Sequence, residues 1–409
     1  MRITRRRFLH TASAVAGGMA MPAITSRRLH AADAIKVGAM HDRTGSHGIY
    51  GKEMDDGIKF VVDEINKSGG VLSRELALTA YDTQSNMQNY AQYAQRLATD
   101  TKADVVFGGI SSASRETVRP ILDRYKILYF YNTFYEGGVC DKNVFVGAET
   151  PAQMIGPALT YSLDKFKAKK LYTIWADYNY GQICSRWLKK FAEDKGCEIV
   201  AMEYYPLDVT DFSSTITKIQ QAKPDLVVSG LVGGSHIGFY RQWPAAGMLG
   251  KIPVYSTVFG PWEKSALKAS EIEGLVTSFH YFQTIDTPEN KAFLSEWRAK
   301  LGQDYPEIGT LAVCTYNAVH LWKKAAEQAG TIEREKVIAA LETGVSFDGP
   351  GGKVMVHPPT HHLVLSTVTA VVTDGQFKII QKNENVEPQD TAVLCDLIKN
   401  PNQAKQYQP

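Results

Sequence analysis

A chain of 409 residues, 44% apolar and 22% charged, exceeds what one compact core ordinarily holds and is too polar for a membrane-embedded protein, so two or more soluble lobes are expected. Its formal charge of +2 is misleading. Residues 1–34 carry six arginines (Arg2, Arg5, Arg6, Arg7, Arg27, Arg28) and one acid, Asp33, and the remaining 39 basic and 42 acidic residues, net −3, exclude the electrostatic footprint of a nucleic-acid binder.

The chain starts with Thr4-Arg5-Arg6-Arg7-Phe8-Leu9-His10 and a weakly apolar, Ala/Gly-rich stretch over 11–23, the layout of an export signal. The paired arginines and mild apolarity resemble a twin-arginine (Tat) signal, with an ordinary Sec signal as the alternative and cleavage expected after Ala32 or Ala34. The leader has no cysteine to carry a lipid. No later apolar run approaches the roughly 20 residues of a spanning helix, so the mature chain is expected free in the periplasm.

Beyond the leader the pattern alternates between strand and helix. A strand over 35–40 precedes a helix over 50–67, whose Ile58, Val61, Val62 and Ile65 fall at helical spacing before Ser68-Gly69-Gly70 stops it. A strand over 75–81, a helix over 86–99, a strand over 104–107 ending in Gly108-Gly109, a helix over 112–124 and a strand over 127–131 follow. The same grammar restarts near Pro151. Helices are expected to 166 and over 183–195, 212–221 and 237–246, with strands over 171–175, 198–204, 226–230 and 252–256. Three helices (288–301, 311–329, 334–342) and an antiparallel tail (352–356, 364–372, 377–380) complete the chain. Alternation of this length predicts an α/β fold of two Rossmann-like lobes, each a parallel sheet with helices on both faces.

Cys140, Cys184, Cys197, Cys314 and Cys395 are too widely spaced for a CxxC metal site, and their odd number leaves at least one unpaired. A helix places Cys184 about 13 positions, at about 1.5 Å each, from Cys197. That separation favours Cys140 with Cys395 as the disulfide.

In open parallel sheets ligands sit beyond the carboxyl ends of strands, which directs attention to residues 44–50, 111–114, 132–136, 177–182, 233–236 and 257–262. Gly108-Gly109-Ile110-Ser111-Ser112-Ala113-Ser114 offers hydroxyls and amides at a helix start, where Ser112 could also simply cap its helix. Tyr131-Asn132-Thr133-Phe134-Tyr135-Glu136 mixes aromatic walls with hydroxyl, amide and carboxylate groups. Trp175-Ala176-Asp177-Tyr178-Asn179-Tyr180-Gly181 puts two tyrosines at the matching edge of the second lobe, so two polar-aromatic edges can close on one solute.

The patterns at 108–115, 131–137, 177–181 and Asp211-Phe212-Ser213-Ser214 resemble the type I periplasmic binding proteins of the Leu/Ile/Val-binding family, closest to the amide- and urea-binding branch of ABC importers, over about residues 35–385. The resemblance implies that Ser112, Tyr131 and Thr133 hold the solute on one lobe, Tyr178 and Tyr180 on the other, with Thr257 a weaker match. It also implies hinge crossings near 148, 282 and 341. Lobe 1 would then be 35–148 plus 283–341 and lobe 2 149–282 plus 342–385, followed by a tail over 386–409. The implied role is capture of a small polar solute, urea or a short-chain amide, by a monomer that delivers it to ABC permease subunits in the inner membrane. Branched-chain or other amino-acid binding, or a periplasmic sensor acting on a receptor, are the alternatives. Two departures bear on the ligand: Ile110 stands where amide binders place an aromatic, and Asn132 where they have proline.

Nothing in the sequence builds an enzyme. Ser112 has no histidine beside it, no Gly-x-Ser-x-Gly or phosphate-cradling loop is present, and neither a cofactor nor a metal is implied. His357-Pro358-Pro359-Thr360-His361-His362 reads as a solvated turn, since the prolines break helical register. The glycines of 230–236 lack dinucleotide spacing, and the lysines of 165–170 read as a solvated helix end.

Overall fold

The computed structural model describes residues 34–409; the export signal expected over 1–34 lies outside the described residues except for Ala34. Within them the chain builds two main sheets. The first runs Leu76–Asp82, Ile35–His41, Val105–Gly108, Leu128–Tyr131, Val144–Val146, all parallel. Its strands Val105–Gly108 and Leu128–Tyr131 are buried at every position, as helices on both faces require.

The helix Gly48–Lys67 turns Met54, Ile58, Val61 and Val62 inward and packs on the 20-residue helix Thr310–Ala329. Gly57 permits that approach, because a Cβ there would lie 3.2 Å from the Ala312 carbonyl oxygen. Trp297 and Trp322 complete this core, both fully buried.

The second sheet has a parallel half, Val276–Phe279, Val254–Ser256, Leu226–Gly230, Lys170–Ala176 and Glu198–Tyr205. Its antiparallel half comprises Ser346–Gly349, Gly352–His357, His362–Thr373 and Gln376–Val386. The chain leaves the first sheet after Val144–Val146, and after Gln376–Val386 of the second sheet its C-terminal segment returns to pair Ala404–Gln406 with Val139–Asp141.

The strand His362–Thr373 serves both cores. Leu363 and Leu365 at its start join the core of the first sheet, while Val368, Ala370 and Val372 join the core of the second. Side chains of the antiparallel tail, Val354 and Val356 among them, therefore pack beyond their own sheet.

The structure corrects the sequence expectation for the histidine cluster. His361 and His362 are fully buried rather than solvated: the turn after Gly352–His357 folds inward, His361 stacks on Phe145 with ring centroids 4.1 Å apart, and His362 contacts the Tyr135 hydroxyl. The segment after residue 385, expected as a C-terminal tail, is held against the first sheet's side of the molecule. Ala404–Gln406 pairs with Val139–Asp141, and Cys140 and Cys395 are disulfide-bonded, as the cysteine spacing favours. Cys184, Cys197 and Cys314 are free and buried. Among the described residues no helix is long and apolar enough to cross a membrane.

Candidate functional site

The first edge of the site is made where the strand Val105–Gly108 turns into the helix Ser112–Arg124. Gly109 has φ +85°, and a Cβ there would stand 2.6 Å from the Tyr129 hydroxyl, so only glycine fits this turn. Capping falls to Ser111, whose Oγ accepts from the Ser114 N–H at 3.1 Å. Ser112 is thereby released from that duty, and its hydroxyl donates instead to Glu136 Oε2 at 2.6 Å.

Glu136 is buried in an ion pair with Arg115, Nη2 to Oε1 2.6 Å, both side chains fully buried. The guanidinium lies over the rings of Tyr131 and Tyr135, 5.1 and 4.7 Å from their centroids. Gln406, from the C-terminal strand, donates its Nε2 to the same Oε1 at 2.6 Å. Beside this pair the Tyr131 hydroxyl donates to the Ile110 carbonyl at 2.7 Å and the Thr133 hydroxyl to the Gly109 carbonyl at 2.8 Å.

The facing edge comes from the second sheet. Tyr178 and Tyr180 stand at the start of the helix Asn179–Asp194, ring centroids 6.0 Å apart. The turn is tight: a Cβ on Gly181 would sit 1.9 Å from the Ala176 carbonyl oxygen. Tyr180 Oη lies 2.9 Å from Thr257 Oγ1. Burial pushes both phenols well above their ordinary range, which keeps them neutral.

Between these edges lies a small cavity lined by Ser112, Tyr131, Thr133, Tyr178 and Tyr180. The structure thus brings together five of the six residues singled out in the sequence. Thr257 stands behind the wall and braces Tyr180. Ile110 lines the cavity, whereas Asn132 does not. Its fully buried amide points toward Gly147, so it leaves cavity polarity unchanged, contrary to the expectation from sequence.

Sequence reasoning did not single out His47, Tyr50, Phe134, Val232, Val258 and Leu311, which complete the lining. Four of these fall in the strand-end segments already marked by the topology rule; Leu311 comes from a helix far along the chain from Tyr131 and carried no local signal. Burial holds His47 below the ordinary histidine range. Among the described residues no aspartate, glutamate, lysine or arginine lines the cavity.

Tyr50 ties the two edges together. Its hydroxyl donates to Glu263 Oε1 at 2.6 Å and accepts from the Gly233 N–H at 3.0 Å, while its ring meets Trp262 edge-on at 5.3 Å. One turn further, Glu53 accepts the N–H groups of Gly309 and Ala312 at the start of the helix Thr310–Ala329. Burial raises its pKa from 4.5 to about 7, against the opposing pull of those N–H donors.

A carboxyl raised in this way supports the fold fully below its unfolded pKa, and that support is lost as pH rises through about 7. Glu53→Gln removes the titration. Its stability relative to the parent chain is expected to improve by about 2 kcal/mol between about pH 5 and pH 8, read from urea unfolding at the two pH values. A constant difference would refute the assignment.

Comparison with known proteins adds the following. The family described as periplasmic binding protein domain matches residues 35–394. A leucine-, isoleucine-, valine-, threonine- and alanine-binding protein of Pseudomonas aeruginosa is 27% identical over 330 residues, 79% of this chain and 86% of its own. Leu/Ile/Val-binding protein homolog 6 of Brucella melitensis is 25% identical, covering 81% and 86%. Among solved structures, a solute-binding protein of an ABC transporter from R. palustris, in complex with 4-hydroxybenzoate, superposes with TM-score 0.78 at 24% identity, covering 88% of this chain and 99% of its own. A branched-chain amino acid transporter substrate-binding protein of Streptococcus pneumoniae, in complex with isoleucine, gives 0.75 at 22%, covering 86% and 100%.

Proposed function

The chain belongs to the periplasmic binding protein family, with the type I fold, and on that premise we propose that it is the substrate-binding component of an ABC importer for a small, neutral polar solute, urea or a short-chain amide. One observation carries this reading: a cavity between the two sheets whose hydroxyls come from Ser112, Thr133 and four tyrosines, whose remaining wall is Ile110, Phe134, Val232, Val258, Leu311 and His47, and which, among the described residues, is lined by no carboxylate, ammonium or guanidinium group. An ion buried there would meet no opposite charge and would keep most of its desolvation cost. A neutral amide needs only hydrogen-bond partners.

In this reading residues 35–148 with 283–341 form one lobe and 149–282 with 342–385 the other. The solute settles on Ser112, Tyr131 and Thr133, then gains Tyr178 and Tyr180 as the lobes meet. Because the second set of contacts exists only on closure, the solute favours the closed form, as does the Tyr50 bridge to Glu263. The closed protein would dock on permease subunits. Export through the twin-arginine route, with cleavage near 32–34, would place it in the periplasm.

The names of the relatives favour a second reading, a branched-chain amino acid as solute. A thermal-shift panel on the mature chain with urea, formamide, acetamide, leucine, isoleucine and valine separates the two, since a ligand of the folded state raises Tm with saturation. Stabilisation by an amide or urea, reduced at least tenfold in affinity by Ser112→Ala, is the expected result. Stabilisation by amino acids alone would replace this reading with the second.

A further inference from the structure

We infer that Glu136 sets the hydrogen-bonding polarity of the cavity: by accepting the Ser112 proton it turns Ser112 into an acceptor, so that the solute is recognised through N–H donors. The inference rests on the reading of this cavity as the solute site, and it deepens that reading by naming the chemistry the solute must present.

A hydroxyl has one proton to donate and two lone pairs to offer. Ser112 Oγ lies 2.6 Å from Glu136 Oε2, and a carboxylate engaged in an ion pair accepts without donating. The Tyr131 and Thr133 hydroxyls face the carbonyl oxygens of Ile110 and Gly109 at 2.7 and 2.8 Å, which also accept only. All three protons are therefore directed away from the solute, and lone pairs are what these hydroxyls offer to it. A primary amide or an ammonium group complements three acceptors; a carboxylate brings more lone pairs against them.

Of the three partners, only Glu136 is a side chain that substitution can reverse. It is also held in place. Arg115 Nη2 and Gln406 Nε2 both donate to Oε1, each at 2.6 Å, and the carboxylate is fully buried. The other oxygen has no freedom to leave Ser112. A glutamine at 136 could turn its NH₂ toward Ser112, freeing the Ser112 proton to donate into the cavity. Glu136 thus acts through Ser112 as a positioning residue, and its signature is selectivity rather than affinity alone.

The test is isothermal titration of the full mature chain with acetamide and acetate, which match in size and differ in N–H donors and in charge; the charge difference is common to the Ser112→Ala background, which isolates the part carried by Ser112. The parent chain is expected to prefer acetamide by tenfold or more, the scale of one hydrogen bond lost to an unmatched polar group. Glu136→Gln is expected to lower that ratio about tenfold. In a Ser112→Ala background the same substitution is expected to leave the ratio unchanged, because its intermediary is gone. Acetate bound by the parent as tightly as acetamide, or a folded Glu136→Gln variant with the parent's ratio, would overturn the inference.

Should Glu136→Gln fail to fold by thermal unfolding, Ser112→Ala alone carries the test: a greater loss for acetamide than for acetate supports the inference, and an equal loss refutes it. If the chain binds leucine and no amide, the amide reading fails by itself. The inference is then read from leucine against 4-methylpentanoate, the same skeleton without the ammonium, with preference for leucine supporting it and parity refuting it. Silence toward both pairs would overturn the site assignment and this inference together.

Discussion

Arg115→Met is expected to lower the unfolding free energy by about 3–5 kcal/mol, the range for stripping one partner from a buried ion pair. Arg115 and Glu136 are both fully buried at 2.6 Å, so methionine would leave a carboxylate with Ser112 and Gln406 as its remaining donors and no compensating charge. Little of the cost should come from packing, because methionine fills much of the space the arginine stem occupies between Tyr131 and Tyr135. The measurement is the urea midpoint at constant m-value. A loss below about 1 kcal/mol would mean that the pair contributes geometry without stability.

The double variant Arg115→Met with Glu136→Leu makes the prediction sharper. Replacing both members of a buried pair by apolar residues is often neutral or stabilising, so this protein should recover more than half of the loss. It should nevertheless bind amides poorly, since Ser112 then lacks the acceptor that orients it. Stability and binding would part company in a single variant, which a purely structural pair would not produce.

The second large effect concerns the disulfide. Cys140 and Cys395 are 255 residues apart in sequence with Cα atoms at 5.6 Å. Cross-linking so long a loop restricts the unfolded chain by about 5 kcal/mol in the chain-entropy treatment, against a typical measured range of about 2–4. Cys140→Ala with Cys395→Ala is therefore expected to cost about 3–5 kcal/mol, seen as a drop in Tm that reducing the parent chain reproduces. Unchanged Tm in both would refute it.

The site should also feel this change. The bridge fastens the segment that pairs Ala404–Gln406 onto Val139–Asp141, and Gln406 reaches Glu136 from that strand. Without the bridge, amide affinity should fall modestly while Ser112 itself remains in place.

Strand–helix alternation is readable in this chain because it is local. Val105–Gly108 and Leu128–Tyr131 are apolar at almost every position, and the helix Gly48–Lys67 repeats its buried residues at helical spacing. Strand ends follow at once, and with them Ser112, Tyr131, Thr133, Tyr178 and Tyr180. Val139–Asp141 and Ser346–Gly349 carry neither a period nor a continuous apolar run, and the pattern does not reveal them. The two histidines at 361 and 362 look solvated beside Pro358-Pro359, but their burial depends on Phe145 and Tyr135, which lie in a distant part of the sequence.

The order of amino acids alone is enough for the α/β fold and for the edges that face each other across the cavity, because periodicity and turn residues act over a few residues; for the cysteines, spacing sets aside Cys184 with Cys197, and the structure shows Cys140 bonded to Cys395. Packing in three dimensions settled the rest. It made Glu136 an ion-pair partner that polarises Ser112, set Thr257 behind Tyr180, turned Asn132 away from the cavity and brought Tyr50 to Glu263. Each of these depends on which side chains meet across separate elements, and the direction and distance of such a meeting leave no local trace in the chain.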